Sequence, residues 1–129
     1  MISCSSTPRM ESRAIRSDMK KKAEFLAKNS RDIPRLKDQR LGKTGYYYIL
    51  SNTGRIIYHP QEALIGLSFF ETPLVKKITS RKEGCIRQFL EGMDKTVIFV
   101  PIDDMNYLCF SINTQELLDK NGQDCENLD

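Results

Sequence analysis

The side chains able to do chemistry in this 129-residue chain are few: one histidine, five tyrosines and four cysteines, with scattered charge. His59 is followed at once by Pro60 and sits close in sequence to Tyr46, Tyr47, Tyr48 and Tyr58. A partly buried imidazole at this point has three readings. It can donate to a ligand anion, cap the loop after Pro60 or bond a tyrosine hydroxyl, or serve as a lone axial haem ligand. Tyr46, Tyr48 and Tyr107 can aim hydroxyls into an apolar cavity, a mixture suited to a small organic ligand, or can pack in a core with the hydroxyl reaching water. Arg87 stands inside the apolar run CIRQFL and is costly to bury unpaired, so it lies on an exposed strand face or is the forked cation that recognises a carboxylate. Lys95 reads as a solvated turn residue or as part of a pocket rim.

Catalysis is not expected. A single histidine restricts acid–base chemistry, and the chain carries no G-x-S-x-G, phosphate-binding glycine loop, dinucleotide fingerprint, H-E-x-x-H or Cys-His signature. Asp103 and Asp104 resemble a carboxylate dyad but fall in a tight turn, where Asp bonds local backbone. Cys4, Cys85, Cys109 and Cys125 have no C-x-x-C spacing, so no metal site and no cofactor is expected. Cys85 and Cys109 are expected as small buried thiols; with another strand between theirs in the sheet they would be roughly 9–10 Å apart and beyond bridging distance. Cys4 and Cys125 lie in polar tails, free or adventitiously paired.

The elements that must position these groups are legible from pattern. Residues 46–50 and 55–58 are aromatic and β-branched, and Asn52, Thr53 and Gly54 between them supply a turn, which makes a β-hairpin. If Leu50 pairs with Arg55, then Tyr46, Tyr48, Ile57 and His59 share one face, and Tyr47, Ile49, Ile56 and Tyr58 share the other. Both faces are apolar or aromatic, so both need cover. Residues 10–28 predict an amphipathic helix, with Ile15, Met19, Phe25 and Leu26 at near-helical spacing and Lys20, Lys21 and Lys22 on its solvated side; Pro34 limits its extension. Residues 37–45 read as a loop and 61–70 as a mixed segment. Thr72-Pro73 predicts a cap and first turn for a helix at 71–82 that buries Leu74, Val75 and Ile78. Strands are expected at 85–90, 96–102 and 107–112, with the last, apolar on nearly every residue, in the centre of the sheet. Thr114 marks an incomplete cap for a terminal helical turn.

The stretch GYYYILSNTGRIIYHPQEALIG resembles the Cache family of sensor domains, in a Gly-Tyr strand, a Gly turn, a strand ending in His-Pro and a short segment closing on Gly. Those residues are Gly45, Tyr46, Gly54, His59, Pro60 and Gly66, and the downstream order of crossover helix, Gly84, Pro101-Ile102 and final strand is similar to Cache as well. The resemblance implies an α/β (α+β) fold: a PAS-like antiparallel sheet of five strands, a long N-terminal helix on one face, and a crossover helix with loops on the other. It covers residues 10–118 as one domain, between a polar, disordered tail at 1–9 and a polar tail at 119–129. It further implies a ligand-binding input module of a bacterial chemoreceptor, histidine kinase or cyclic-dinucleotide enzyme, whose ligand is a small organic acid or amino acid held by Tyr46, Tyr48, His59, Arg87 and Tyr107. The rival reading is a PAS-like interaction or dimerisation module with no physiological small ligand.

Composition limits the partners. A net charge of +3 with dispersed basic residues does not form a nucleic-acid surface. No run approaches a transmembrane helix, and the N-terminus has no apolar signal region. As an excised sensor region the chain would be periplasmic and meet a membrane only through flanking segments; as a complete protein it would be cytoplasmic. The N-terminal helix is a candidate homodimer surface.

Overall fold

The computed structural model describes residues 11–118 and 125–128. The expected disordered tail at 1–9, Cys4, and the tail residues 119–124 and 129 lie outside them. Helix α1, Ser12–Lys28, buries Ile15, Met19, Ala23 and Leu26. Around an ideal helix Leu26 lies about 20° from Ile15 and Phe25 about 80° away. Phe25, expected on the buried stripe, is therefore turned outward and 54% exposed. In the basic triplet, Lys20 pairs with Glu83 at 2.7 Å and Lys22 lies 5.5 Å above the Tyr47 ring. After α1 the chain tightens into a 3-10 helix, Ser30–Asp38, which contains Pro34 and sends Leu36 into the core. Part of the expected loop at 37–45 is thus helical, and the rest closes on a bridge between Leu41 and Gly45.

Six strands follow where five were expected: β1 Tyr46–Ser51, β2 Ile56–Tyr58, β3 Gly84–Leu90, β4 Met93–Pro101, β5 Asn106–Asn113 and β6 Glu126–Asn127. They lie in the order β2-β1-β5-β4-β3-β6, antiparallel except for β3 against β6. The last long strand, β5, is central as expected, and six consecutive residues of it are buried. The sixth strand falls in the segment read as a polar tail. β4 begins earlier than expected, so Lys95 is a strand residue paired with Gln88 instead of a turn residue.

The hairpin register differs from the expected one. An irregularity between Ile49 and Leu50 pairs Leu50 with Ile56, not Arg55. Bulges re-aim side chains. Ile56 consequently joins the Tyr48 face, while Ile57 is 41% exposed. Gly54 takes φ +85° in the turn, and a Cβ there would stand 2.6 Å from the Phe70 backbone. At Gly45 a Cβ would come within 2.4 Å of the Leu41 carbonyl and 2.5 Å of the Phe110 ring, so only glycine lets β1 start there.

The sheet carries a core on each face. On one, α1 covers Tyr47, Ile49, Ile98, Val100, Leu108 and Phe110. On the other, Tyr48, Leu50, Ile56, Val97, Phe99, Tyr107 and Cys109 meet helix α2, Pro73–Arg81, through Val75 and Ile78. α2 starts as its sequence predicts, with the Thr72 hydroxyl accepting from the Val75 N–H and Pro73 in the first turn. Beyond β5 the Glu116 carboxylate accepts from the Lys43 and Thr44 N–H groups and from the Thr44 hydroxyl, holding the chain before β1 in place. Thr114 is inside the terminal 3-10 turn, not its cap. Its hydroxyl bonds Thr96 and donates to Asp94 at 2.8 Å.

The cysteine reading is corrected in one respect. Cys85 does not meet Cys109, because β4 separates β3 from β5, but neither is Cys85 a free thiol: it is bridged to Cys125, Cα to Cα 4.4 Å. The spacing of 40 residues gives no local motif; only the parallel docking of β6 on β3 brings the two together. Closing such a loop restricts the unfolded chain. Cys125→Ser should lower the unfolding free energy in urea by about 2–4 kcal/mol, and reductant should produce a similar loss in the parent protein. An unchanged midpoint in both would contradict a closed bridge.

Candidate functional site

Between the sheet and α2 lies a cavity of about 460 Å³. Its apolar walls come from Leu50 and Ile56 on the hairpin, Leu64 and Phe69 on the connection that follows, Leu74, Val75 and Ile78 on α2, and Leu90 on β3. Its polar groups are Tyr46, Tyr48, His59, Thr72 and Gln88, with no charged side chain in its lining. Strand alternation explains the two tyrosines: Tyr47 faces α1, so Tyr46 and Tyr48 face the cavity.

His59 is held in a defined state. Its Nδ1 accepts the Gln61 N–H at 2.9 Å, so in the neutral ring the proton is on Nε2. The imidazole is buried and lies tilted against Tyr46 and Tyr48, with ring centroids 5.1 Å and 5.5 Å away. Burial pushes its pKa below the ordinary histidine value. It therefore offers an N–H donor, not a cation. The bond to Gln61 is also the loop-capping role foreseen for it. Burial holds the Tyr48 phenol protonated and likewise raises the neighbouring Cys109 thiol, which leaves that cysteine unreactive.

Tyr46, Tyr48 and His59 thus converge, whereas Tyr107 and Arg87 do not join them. Tyr107 is on the same face but is buried in register with Leu50 and Pro101, outside the cavity lining. Ile86 faces α2, so its neighbour Arg87 faces the opposite way and bonds Asp94 at 2.7 Å. The hydrogen bond from Arg87 lowers the Asp94 pKa. Gln88, the next residue, reaches the cavity in its place. The apolar pattern around Arg87 allowed either face, and Gln88 and Thr72 were missed because neither shows a chemical signature. Asp103 makes the expected turn contacts, its Oδ1 accepting from the Met105 and Asn106 N–H groups. Among the described residues no cluster of His, Cys, Asp and Glu could hold a metal ion, and no helix is long and apolar enough to cross a membrane.

The state of His59 has a measurable consequence. Its folded pKa is depressed, so the unfolded chain binds the proton more readily, and stability falls as pH drops from the ordinary value of 6.5 through the lower folded value. The urea midpoint should decline across that window. His59→Gln should remove that part of the decline, and an identical profile in the variant would contradict a buried neutral imidazole.

No protein-family model and no curated protein matches the chain. Solved structures do. The extracellular domain of mmHK1S-Z2, a protein assigned as a histidine kinase, is 21% identical with a TM-score of 0.57, over 74% of this chain and 38% of that one. The ligand-binding domain of Mlp24 with asparagine is 23% identical with a TM-score of 0.51, over 63% of this chain and 33% of that one. The chain therefore spans well under half of the length of either. With a helix behind a mostly antiparallel sheet and a crossover helix before it, the chain has the PAS-like fold of these Cache-type sensor domains.

Proposed function

We propose that this domain is a non-catalytic input module that binds a small molecule for a bacterial membrane-anchored signalling protein, on the extracytoplasmic side. The carrying observation is the cavity itself: about 460 Å³ of space on a sheet face that α2 incompletely fills, within the range of small-molecule sites. An interaction module without a ligand would have a filled core there. The disulfide supports an oxidising compartment. The ligand class is an organic acid or amino acid, with Tyr46, Tyr48 and the Nε2–H of His59 as its donors.

Signal transfer has a physical route. α2 lines the cavity with Leu74, Val75 and Ile78, and its Lys77 and Arg81 grip both carboxylate oxygens of Glu126 on β6, at 2.5 Å and 2.6 Å. A ligand that prefers one seating of α2 biases the position of β6 by its difference in affinity for the two states.

A thermal-shift screen of carboxylates and amino acids should find compounds that raise the melting temperature. Leu74→Trp, which fills the cavity from its partly exposed wall, should abolish the shift. His59→Ala should weaken binding by about 1–3 kcal/mol, the cost of leaving a buried polar partner unsatisfied. Ligands that shift both variants as they shift the parent would defeat the proposal.

A further inference from the structure

A second concavity, about 390 Å³, adjoins the first and shares Tyr46 and His59 with it. The second one is lined in addition by Arg40, Pro60, Gln61 and Lys95. Lys95 is on the pocket face of β4, the face of Val97 and Phe99, and pairs in register with Gln88, which lines the first cavity. The floor therefore runs continuously from an apolar chamber to a cationic one. Arg40 and Lys95 have no ion-pair partner among the described residues. No acidic side chain lines either concavity.

We infer that the ligand is a monocarboxylate with an apolar body and no ammonium group. The carboxylate is held at Arg40 and Lys95, beside the donors of Tyr46 and His59, and the body enters the chamber beneath α2. The inference rests on the binding role proposed for that chamber and narrows it. Taking a carboxylate from water requires fixed donors, preferably cationic ones, and the second concavity has them. An α-amino acid brings an ammonium as well, and here it would be desolvated with no anion to meet it. The apolar walls of the first chamber make no use of a polar body, so short dicarboxylates and polar amino acids gain nothing from it.

Two matched pairs isolate the ammonium: hydrocinnamate against phenylalanine, and isocaproate against leucine. Calorimetry on the oxidised protein should show each deaminated acid binding at least about tenfold tighter than its amino acid. Arg40→Gln with Lys95→Gln should weaken the acids by about tenfold or more, with an unchanged melting temperature, since both side chains are at the surface or partly so. Leu74→Trp should abolish binding of the acids. Amino acids binding as tightly as their deaminated partners, or acids unaffected by the double substitution, would overturn the inference while leaving the cavity reading intact. Failure of every screened compound to bind in a Leu74→Trp-sensitive way would remove the cavity reading and this inference with it.

Discussion

Everything in this molecule follows from a sheet that cannot show either face to water. Tyr47, Ile49, Leu108 and Phe110 point to one side of β1 and β5, and Tyr48, Leu50, Tyr107 and Cys109 to the other. A sheet buried on both faces needs two covering layers. α1, with 17 residues, is long enough to lie across its face. α2 has 9 residues, about 13 Å of helix, and covers only part of the opposite one. The remainder is closed by the connection between β2 and α2, and the space that this layer leaves is the cavity.

The same short helix joins the cavity to the last strand. Its buried side meets the pocket and its polar side holds Glu126, while the Cys85–Cys125 bridge ties that strand to β3. The ion pairs are partly solvated and contribute modestly to stability; their value is in registering α2 against β6. The disulfide ties β6 to β3 and limits how far the strand can travel. The cavity wall, the cover of this face and the contact with the last strand are thus three roles of one element.

His59 organises a loop and lines the cavity with the same ring. Accepting the Gln61 N–H organises the loop after Pro60 and simultaneously decides which ring nitrogen keeps its proton. Burial beside Tyr46 and Tyr48 keeps that ring neutral. Formal positive charge is left to Arg40 and Lys95, outside the greasy chamber, where water still solvates it. The separation avoids the cost of an unpaired buried cation.

The sequence by itself determined the elements. Period-two alternation and turn residues marked the hairpin, Thr72-Pro73 marked the start of α2, and the continuous apolar run of β5 required a central place. It also singled out Tyr46, Tyr48 and His59, since alternation puts the two tyrosines on one face and the His-Pro pair ends the neighbouring strand beside them. Tertiary structure decided what depends on partners distant along the chain. Arg87 faces Asp94 because β3 pairs with β4 in one register, and a shift of one residue would have sent it to the cavity. The bulge in β2 exchanged Ile56 for Ile57, and the union of Cys85 with Cys125 awaited a short parallel strand that no local pattern announces. Local propensity is written residue by residue, whereas register and cross-chain pairing are chosen by the whole sheet.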